Sequence, residues 1–177
     1  MSFKFENLES KTRRLMLEEV EMDLANKKLY LSPRLSEIGK KQYCLLFKNA
    51  IQENNETAFA NNLRTQNCLN PTEPRKTNQG VKIVSVPVTA NETLAEGEFN
   101  RFYIRALCRM VIEDKRGSLE IYRAKQVLTP RLESQMMIGK IVNPEKLLND
   151  LRTNIGVDTV LGLPPGPNSG LSVRIKS

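Results

Sequence analysis

Residues 89–117 read TANETLAEGEFNRFYIRALCRMVIEDKRG, which is the clearest secondary-structure signal in the chain. The apolar side chains recur at the three- and four-residue spacing of one helix face, so we predict a long amphipathic helix over 91–116. Thr89 and Glu92 fit a capping box at its start, and Gly117 fits a left-handed residue past its end. The predicted core face comprises Phe99, Tyr103, Ala106, Leu107, Met110 and Val111.

Strand signals lie on both sides of this helix. Residues 81–88 precede it and are rich in β-branched side chains, which favour a strand. After the helix, strands are predicted over 119–122, 140–142 and 171–175, and Asn143-Pro144 opens a shorter helix before the last of them. The resulting order is that of a split β-α-β unit. We therefore predict an α+β chain whose second part is a small ferredoxin-like unit.

The first part of the chain reads as helical. Helices are predicted over 8–25, 33–51 and 56–67. The second of them should begin at Ser32-Pro33 and bury Ile38, Tyr43, Leu46, Phe47 and Ala50. Residues 69–80 hold two prolines, a terminal glycine and almost nothing apolar, so we predict a break there. The predicted organisation is a helical region over 1–68, a linker or long loop over 69–80, and an α+β domain over 81–177.

The residue types present restrict the chemistry. The 177 residues include no histidine and three widely spaced cysteines, Cys44, Cys68 and Cys108. The lack of histidine excludes Ser-His-Asp and Cys-His mechanisms as well as histidine-based metal sites. The cysteine spacing speaks against a disulfide framework or a zinc site. We therefore predict no catalytic residues, no metal and no cofactor.

The distribution of apolar residues bears on location. No apolar run approaches the roughly 18 residues that a membrane span requires. The N-terminus has no apolar core of the kind that follows the positive start of a signal peptide. We therefore expect a soluble protein of intracellular type, not secreted by a signal peptide and with no membrane partner.

The net charge of +7 suits a nucleic acid, an acidic protein surface or solubility alone. Arg101, Arg105 and Arg109 follow at steps of four and lie along one side of the long helix. As a row of guanidinium groups they would bind phosphates or carboxylates. As a solvated helix face they would instead pair with Glu98 and Glu113 on the same helix. Both interpretations remain open. A basic interaction surface would also include Arg123, Lys125 and Arg131.

A metal-dependent nuclease is a third hypothesis. The carboxylates that suggest it are Glu113, Asp114, Glu120 and Glu133. A magnesium site of this kind needs acidic groups and a lysine held together. Glu120 and Lys125 are five residues apart and would point to opposite faces of a strand, which disfavours this hypothesis.

The C-terminal stretch combines a proline-rich segment with a strand. Pro164, Pro165 and Pro167 stiffen the segment, which lacks the pattern of a phosphate-binding loop. One interpretation is a surface loop before an edge strand. The other is a subunit-contact arm whose strand joins a neighbouring sheet. The arm would make its contacts through Leu171, Val173 and Ile175 in addition to the three prolines.

Two segments carry a resemblance. They are GEFNRFYIRALC at 97–108 and residues 158–174, which contain LPPGPNSG. Both resemble segments of small uncharacterised bacteriophage and prophage proteins. This resemblance implies a virion or assembly protein. Together with the lack of catalytic residues, the basic second half and the proline-rich C-terminal segment, it leads us to expect a non-enzymatic component of the head, neck or tail, located in a bacterial cytoplasm or in the particle. Its partners would be other virion subunits in a homo- or hetero-oligomer, with nucleic-acid binding as the alternative.

Overall fold

The computed structural model describes residues 2–156 and 169–176. This part of the chain forms six helices: α1 (Ser10–Ala25), α2 (Glu37–Glu53), α3 (Glu56–Thr65), α4 (Ala90–Asp114), α5 (Leu132–Met137) and α6 (Pro144–Thr153). It also forms five strands: β1 (Thr72–Thr77), β2 (Gly80–Ser85), β3 (Ser118–Arg123), β4 (Ile141–Val142) and β5 (Leu171–Lys176). The predicted α+β class is confirmed.

The long central helix α4 organises the molecule. It packs against α1, α3 and α6 and also contacts β3 and β5. The predicted apolar face is buried, apart from Met110, which is half-buried against the core. The predicted capping box is wrong, because the Thr89 side chain makes no cap hydrogen bond. Lys115 caps the end of the helix in the left-handed conformation at φ 51°, and the predicted left-handed conformation of Gly117 is confirmed by its φ of 76°.

One hydrophobic core includes side chains from both parts of the chain. Phe47 of α2 and Phe59 of α3 belong to the same buried cluster as Phe102 of α4 and Ile121 of β3. The Phe47 and Phe102 rings meet edge to face, with centroids 5.2 Å apart. The predicted division at 69–80 therefore does not separate two cores.

The main sheet has three antiparallel strands in the order β4-β3-β5. The predicted ferredoxin-like unit is wrong, because the strand that precedes α4 does not join this sheet. That strand, β2, pairs with β1 in a separate two-stranded sheet. In the part of the chain that the structure describes, the sheet beside α4 has three strands, whereas a split β-α-β unit requires four.

The prediction of a linker or long loop over 69–80 is also wrong. Six of these residues form β1, and Asn78 and Gln79 make a two-residue turn into β2. The hairpin is almost fully exposed, so its first strand carries polar residues on both faces and lacks the alternation that marks a half-buried strand. Exposure itself was predicted correctly.

Side-chain caps fix several helix starts. The predicted cap at Asn143 is confirmed, because its Oδ1 accepts a hydrogen bond from the Lys146 N–H at 2.8 Å. The predicted start at Ser32-Pro33 is wrong, since α2 begins four residues later and is capped by Ser36, which accepts from Gly39. With this start, Ile38 is exposed and not buried as predicted. The short helix α5 had no sequence prediction.

A helix that spans a membrane must be long and predominantly apolar. No helix between residues 2 and 156 meets both requirements.

Candidate functional site

The predicted row of arginines on α4 does not form an exposed surface. Arg105, the middle one, is 1% exposed and points into the interface between α4 and α1. Its guanidinium donates to Glu19 at 2.8 Å and to both carboxylate oxygens of Asp23 at 2.7 and 2.8 Å. The prediction that Arg105 contacts a ligand is therefore wrong, because two buried carboxylates of α1 already occupy its donors.

Glu19 lies at the centre of this ionic cluster. It also accepts hydrogen bonds from Arg152 of α6, and the Arg109 guanidinium approaches it at 3.6 Å. Burial raises the pKa of Glu19, but hydrogen bonds and charge from Arg152 and Arg105 outweigh burial and hold that pKa below its ordinary value. The cluster therefore joins α1, α4 and α6 through buried ion pairs.

Arg101 and Arg109 make the intrahelical pairs of the second interpretation. Arg101 is buried, lies 3.2 Å from Glu98, and donates to the Asn154 carbonyl at 2.8 Å. Arg109 lies 2.9 Å from Glu113 and is mostly buried. The predicted basic row is thus engaged in contacts within the protein. The sequence predicted the pairs within α4 but not the contacts with α1 and α6, because those partners are distant along the chain.

The three further cations do not extend a common basic surface. Arg123 donates to the Ser169 carbonyl at 2.7 Å. Lys125 is mostly buried and pairs with Glu96. Only Arg131, which precedes α5, is exposed. The predicted interaction surface is therefore wrong as a single site.

The C-terminal strand belongs to this molecule's own sheet. In β5, Leu171 and Val173 are buried and Ile175 packs against the core, so these side chains are not presented to a neighbour. Side chains also occupy two backbone groups on the outer edge of the strand. Asn100 donates to the Leu171 carbonyl, and the Ile175 N–H donates to Asn7, each at 2.9 Å. The predicted exchange of this strand is therefore not supported. The predicted contacts at Pro164, Pro165 and Pro167 lie outside the described residues.

The carboxylates of the nuclease hypothesis are not brought together. Glu113 pairs with Arg109, while Asp114 pairs with Lys11. Glu120 accepts from both Arg174 and Lys176 on β5. Glu133 is exposed in the first turn of α5. Over residues 2–156 and 169–176, no group of three acidic or cysteine side chains is arranged to hold a metal ion.

A polar cleft of about 710 Å³ opens at the N-terminus of α3. Its wall includes Glu56, Glu92, Glu96 and Lys125. Burial raises the pKa of Glu96, and pairing with Lys125 only partly offsets this. The Glu56 carboxylate already accepts from the N–H of Phe3 at 2.9 Å. These groups stabilise the fold around the cleft, and their arrangement indicates no particular ligand.

Two exposed apolar surfaces stand out instead, and the sequence analysis identified neither. The first is the β1–β2 hairpin, where Val81 is 64% exposed and Ile83 is 69% exposed. The second, which we call the 128–141 surface, follows β3 and includes α5. Its exposed apolar residues are Leu128, Leu132, Met136, Ile138 and Ile141. The sequence did contain a signal for the second surface, because residues 128–141 hold six large apolar residues, of which five are exposed.

No protein-family model, no curated protein and no solved structure matches this chain.

Proposed function

We propose that this protein is a non-enzymatic assembly component of a bacteriophage-type virion, acting in the head, neck or tail through protein–protein contacts. The observation that carries the proposal is the concentration of exposed large apolar side chains in the hairpin and the 128–141 surface. Concentrated exposure of this kind marks interaction sites more often than singly scattered apolar residues do.

The 128–141 surface has the composition of an interface core. Leu128 is 95% exposed, and Leu132 and Met136 lie one turn apart, so they share one face of α5. Fully burying a leucine or methionine side chain contributes about 1.5–3 kcal/mol. A partner that covers these three side chains would therefore gain several times the free energy of one contact, before the entropic cost of association.

The pairing of charged side chains within the protein favours a role in protein–protein contact over catalysis. The arginines that could have formed a phosphate-binding row instead tie α1, α4 and α6 together. Three of the four carboxylates that could have held a metal ion, Glu113, Asp114 and Glu120, instead form separate ion pairs. The resemblance of 97–108 and 158–174 to bacteriophage segments supports a particle as the setting for these contacts.

Association of the full-length chain tests this proposal. Light scattering after size-exclusion chromatography should show mass that increases with concentration, or the chain should be found in purified particles produced with the genes that accompany it. Leu132→Glu and Met136→Glu together should abolish that association, because they place charge on the exposed face of α5. The control is Gln135→Glu, which adds one charge to the same helix at an exposed polar position. A wild-type chain that stays monomeric and is absent from the particles would overturn the proposal.

Nucleic-acid binding remains the second candidate, on a different surface from the one predicted. Arg75, Lys76 and Lys82 lie on the exposed hairpin, and a two-stranded ribbon fits a groove of duplex DNA. Binding through phosphates should weaken steeply as salt rises, because counterions are released. An absence of any salt-dependent shift with DNA or RNA at low ionic strength would dismiss this candidate.

A further inference from the structure

The register of the β1–β2 hairpin fixes which backbone groups face outward. The Val86 N–H donates to the Pro71 carbonyl at 3.0 Å, and the same register pairs Glu73 with Val84 and Arg75 with Lys82. In an antiparallel ladder, hydrogen-bonded pairs alternate with non-hydrogen-bonded pairs. The intervening residues of β2 therefore direct their N–H and C=O groups away from β1. These residues are Val81, Ile83 and Ser85.

Within residues 2–156 and 169–176, no strand lies beside the outer edge of β2. The hairpin is a two-stranded sheet, and among residues 2–156 and 169–176 nothing hydrogen-bonds to the backbone of Val81, Ile83 or Ser85. The three residues are exposed, so these groups face solvent. An unpaired edge of this length, with β-branched side chains, is a template for the addition of another strand.

The opposite edge of the hairpin is less suited to addition. Pro74 lies opposite Ile83 in a non-hydrogen-bonded pair, so its ring nitrogen faces outward from β1. Proline has no N–H, and its outward position removes the central donor from that edge. A strand that extends the hairpin would therefore bind to β2 and not to β1.

The side chains on the two faces indicate which kind of strand fits. Val81 and Ile83 of β2 share one face with Pro74, and Lys76 lies on the same face directly opposite Val81. On the other face Arg75 and Lys82 are directly opposite each other, and like charges in this position destabilise a ladder. The nearest carboxylate is Glu73, which pairs with Arg34 at 2.6 Å and is 4.0 Å from Arg75. An acidic side chain beside Lys82 would relieve this repulsion.

We infer that the outer edge of β2 binds an extended segment of a partner protein in which acidic and apolar residues alternate. The inference rests on the proposed assembly function and names the site and the chemistry of one partner segment. The apolar residues of that segment pack beside Val81 and Ile83, and an acidic residue pairs with Lys82. The backbone groups of the edge supply the hydrogen bonds.

The test uses the full-length chain and two labelled peptides, one of alternating glutamate and valine and one of alternating lysine and valine. The readouts are fluorescence polarisation and hydrogen exchange at the amides of Val81 and Ile83. We expect the glutamate peptide to bind at least about tenfold more tightly and to protect both amides. Equal binding of the two peptides, or binding without protection, would overturn the inference.

Two substitutions at one position separate the backbone from the side chain. Ile83→Pro removes an outward N–H but no hydrogen bond to β1, so the hairpin should persist and peptide affinity should fall by about tenfold or more. Ile83→Thr keeps the N–H and β-branching and should bind more tightly than Ile83→Pro. Unchanged affinity in Ile83→Pro, with the same urea midpoint as the wild type, would overturn the inference.

The remaining outcomes identify other occupants. A short DNA duplex that binds with strong salt dependence, while neither peptide binds, would assign the hairpin to nucleic acid and overturn the inference. A dimer that Ile83→Pro abolishes, without peptide binding, would assign the edge to a second copy and also overturn it. If neither peptide binds but the chain still assembles through the 128–141 surface, the inference fails while the proposed function stands.

Discussion

Arg105 of α4 donates to both carboxylate oxygens of Asp23 on α1, at 2.7 and 2.8 Å, in a site where the arginine is 1% exposed. A bidentate pair of this kind is planar and directional, so it fixes the rotation of one helix relative to the other. Glu19 extends the same cluster to α6 through Arg152. The three helices are therefore held in register by charge as well as by apolar packing.

Arg105→Ala should be strongly destabilising, because it removes the cation that pairs with buried Asp23 and one of the cations that pair with buried Glu19. Removing one partner of a buried ion pair typically costs about 3–5 kcal/mol. Urea unfolding measures the change in the free energy of unfolding. The matched control is Arg14→Ala, which breaks an exposed pair with Glu18 and should cost less than about 1 kcal/mol.

Arg105→Lys provides a milder version of the same test. A lysine keeps the positive charge but has no planar fork, so it cannot satisfy both oxygens of Asp23 and Glu19 together. We expect its stability to lie between those of the wild type and Arg105→Ala. A cost for Arg105→Ala no greater than that of Arg14→Ala would contradict the assigned role of the cluster.

Stability should decrease in acid through Glu19. Its folded-state pKa lies below the ordinary value of 4.5, so the unfolded chain binds the proton more readily. The contribution is therefore complete above the unfolded pKa and is lost as the pH falls below 4.5 through the folded pKa. Urea midpoints measured from neutral pH down to about pH 3 should decrease accordingly.

Glu19→Gln isolates this contribution. The variant should be less stable than the wild type at neutral pH, and the difference should shrink as the pH falls. The control Glu53→Gln changes an exposed carboxylate at the end of α2. A Glu19→Gln protein whose stability keeps the acid dependence of the wild type would show that other carboxylates cause it.

The elements predicted correctly from the sequence are those that depend on interactions between residues close together in the chain. The start of α6 was readable because Asn143 caps a backbone N–H three residues away. The role of Arg105 was not readable, because its carboxylates lie 86 and 82 residues earlier in the chain. A periodicity of four describes a helix side but does not reveal what packs against it.

The hairpin was missed for a related reason. Sequence patterns detect strands through alternation between a buried and an exposed face, and β1 has no buried face. Pro74 then favoured a loop, although proline is compatible with an edge strand when its nitrogen faces outward. The β2 strand was recognised from its β-branched residues, but it was assigned to the ferredoxin-like unit and not to a separate hairpin. Because β1 and β2 are exposed on both faces, the sequence pattern did not reveal the hairpin surface on which the proposed function depends.

Gly39→Ala should destabilise the protein although it improves helix propensity. A Cβ at this position of α2 would lie 2.0 Å from the carbonyl oxygen of Cys68, a backbone atom that also accepts from the Ser36 N–H. Overpacking against backbone typically costs about 1–3 kcal/mol. Thermal unfolding measures the change, with Asn49→Ala on the exposed side of α2 as the control.

Asn49→Ala should be neutral or slightly stabilising, because alanine is the better helix former by a few tenths of a kcal/mol. The pair of variants therefore distinguishes a steric effect from a propensity effect in the same helix. A Gly39→Ala protein as stable as Asn49→Ala would show that α2 can move away from Cys68 without cost.

The three thiols should react in the order of their burial. Burial raises the pKa of Cys108 to about 12, so almost no thiolate is present near neutral pH. Burial also raises the pKa of Cys68 and of Cys44, but Cys44 is only half-buried. Alkylation with iodoacetamide, followed by mass spectrometry of peptides, should therefore label Cys44 first and Cys108 only when the protein opens.

The Arg105→Ala variant connects this labelling to the ionic cluster. Cys108 lies one turn after Arg105 on α4, so weakening the contact with α1 should make local opening more frequent and label Cys108 faster. Labelling of Cys44 should change little, because that thiol is already partly accessible in the folded protein. Rapid labelling of Cys108 in the wild type, at the rate of Cys44, would contradict its burial at the centre of the helical core.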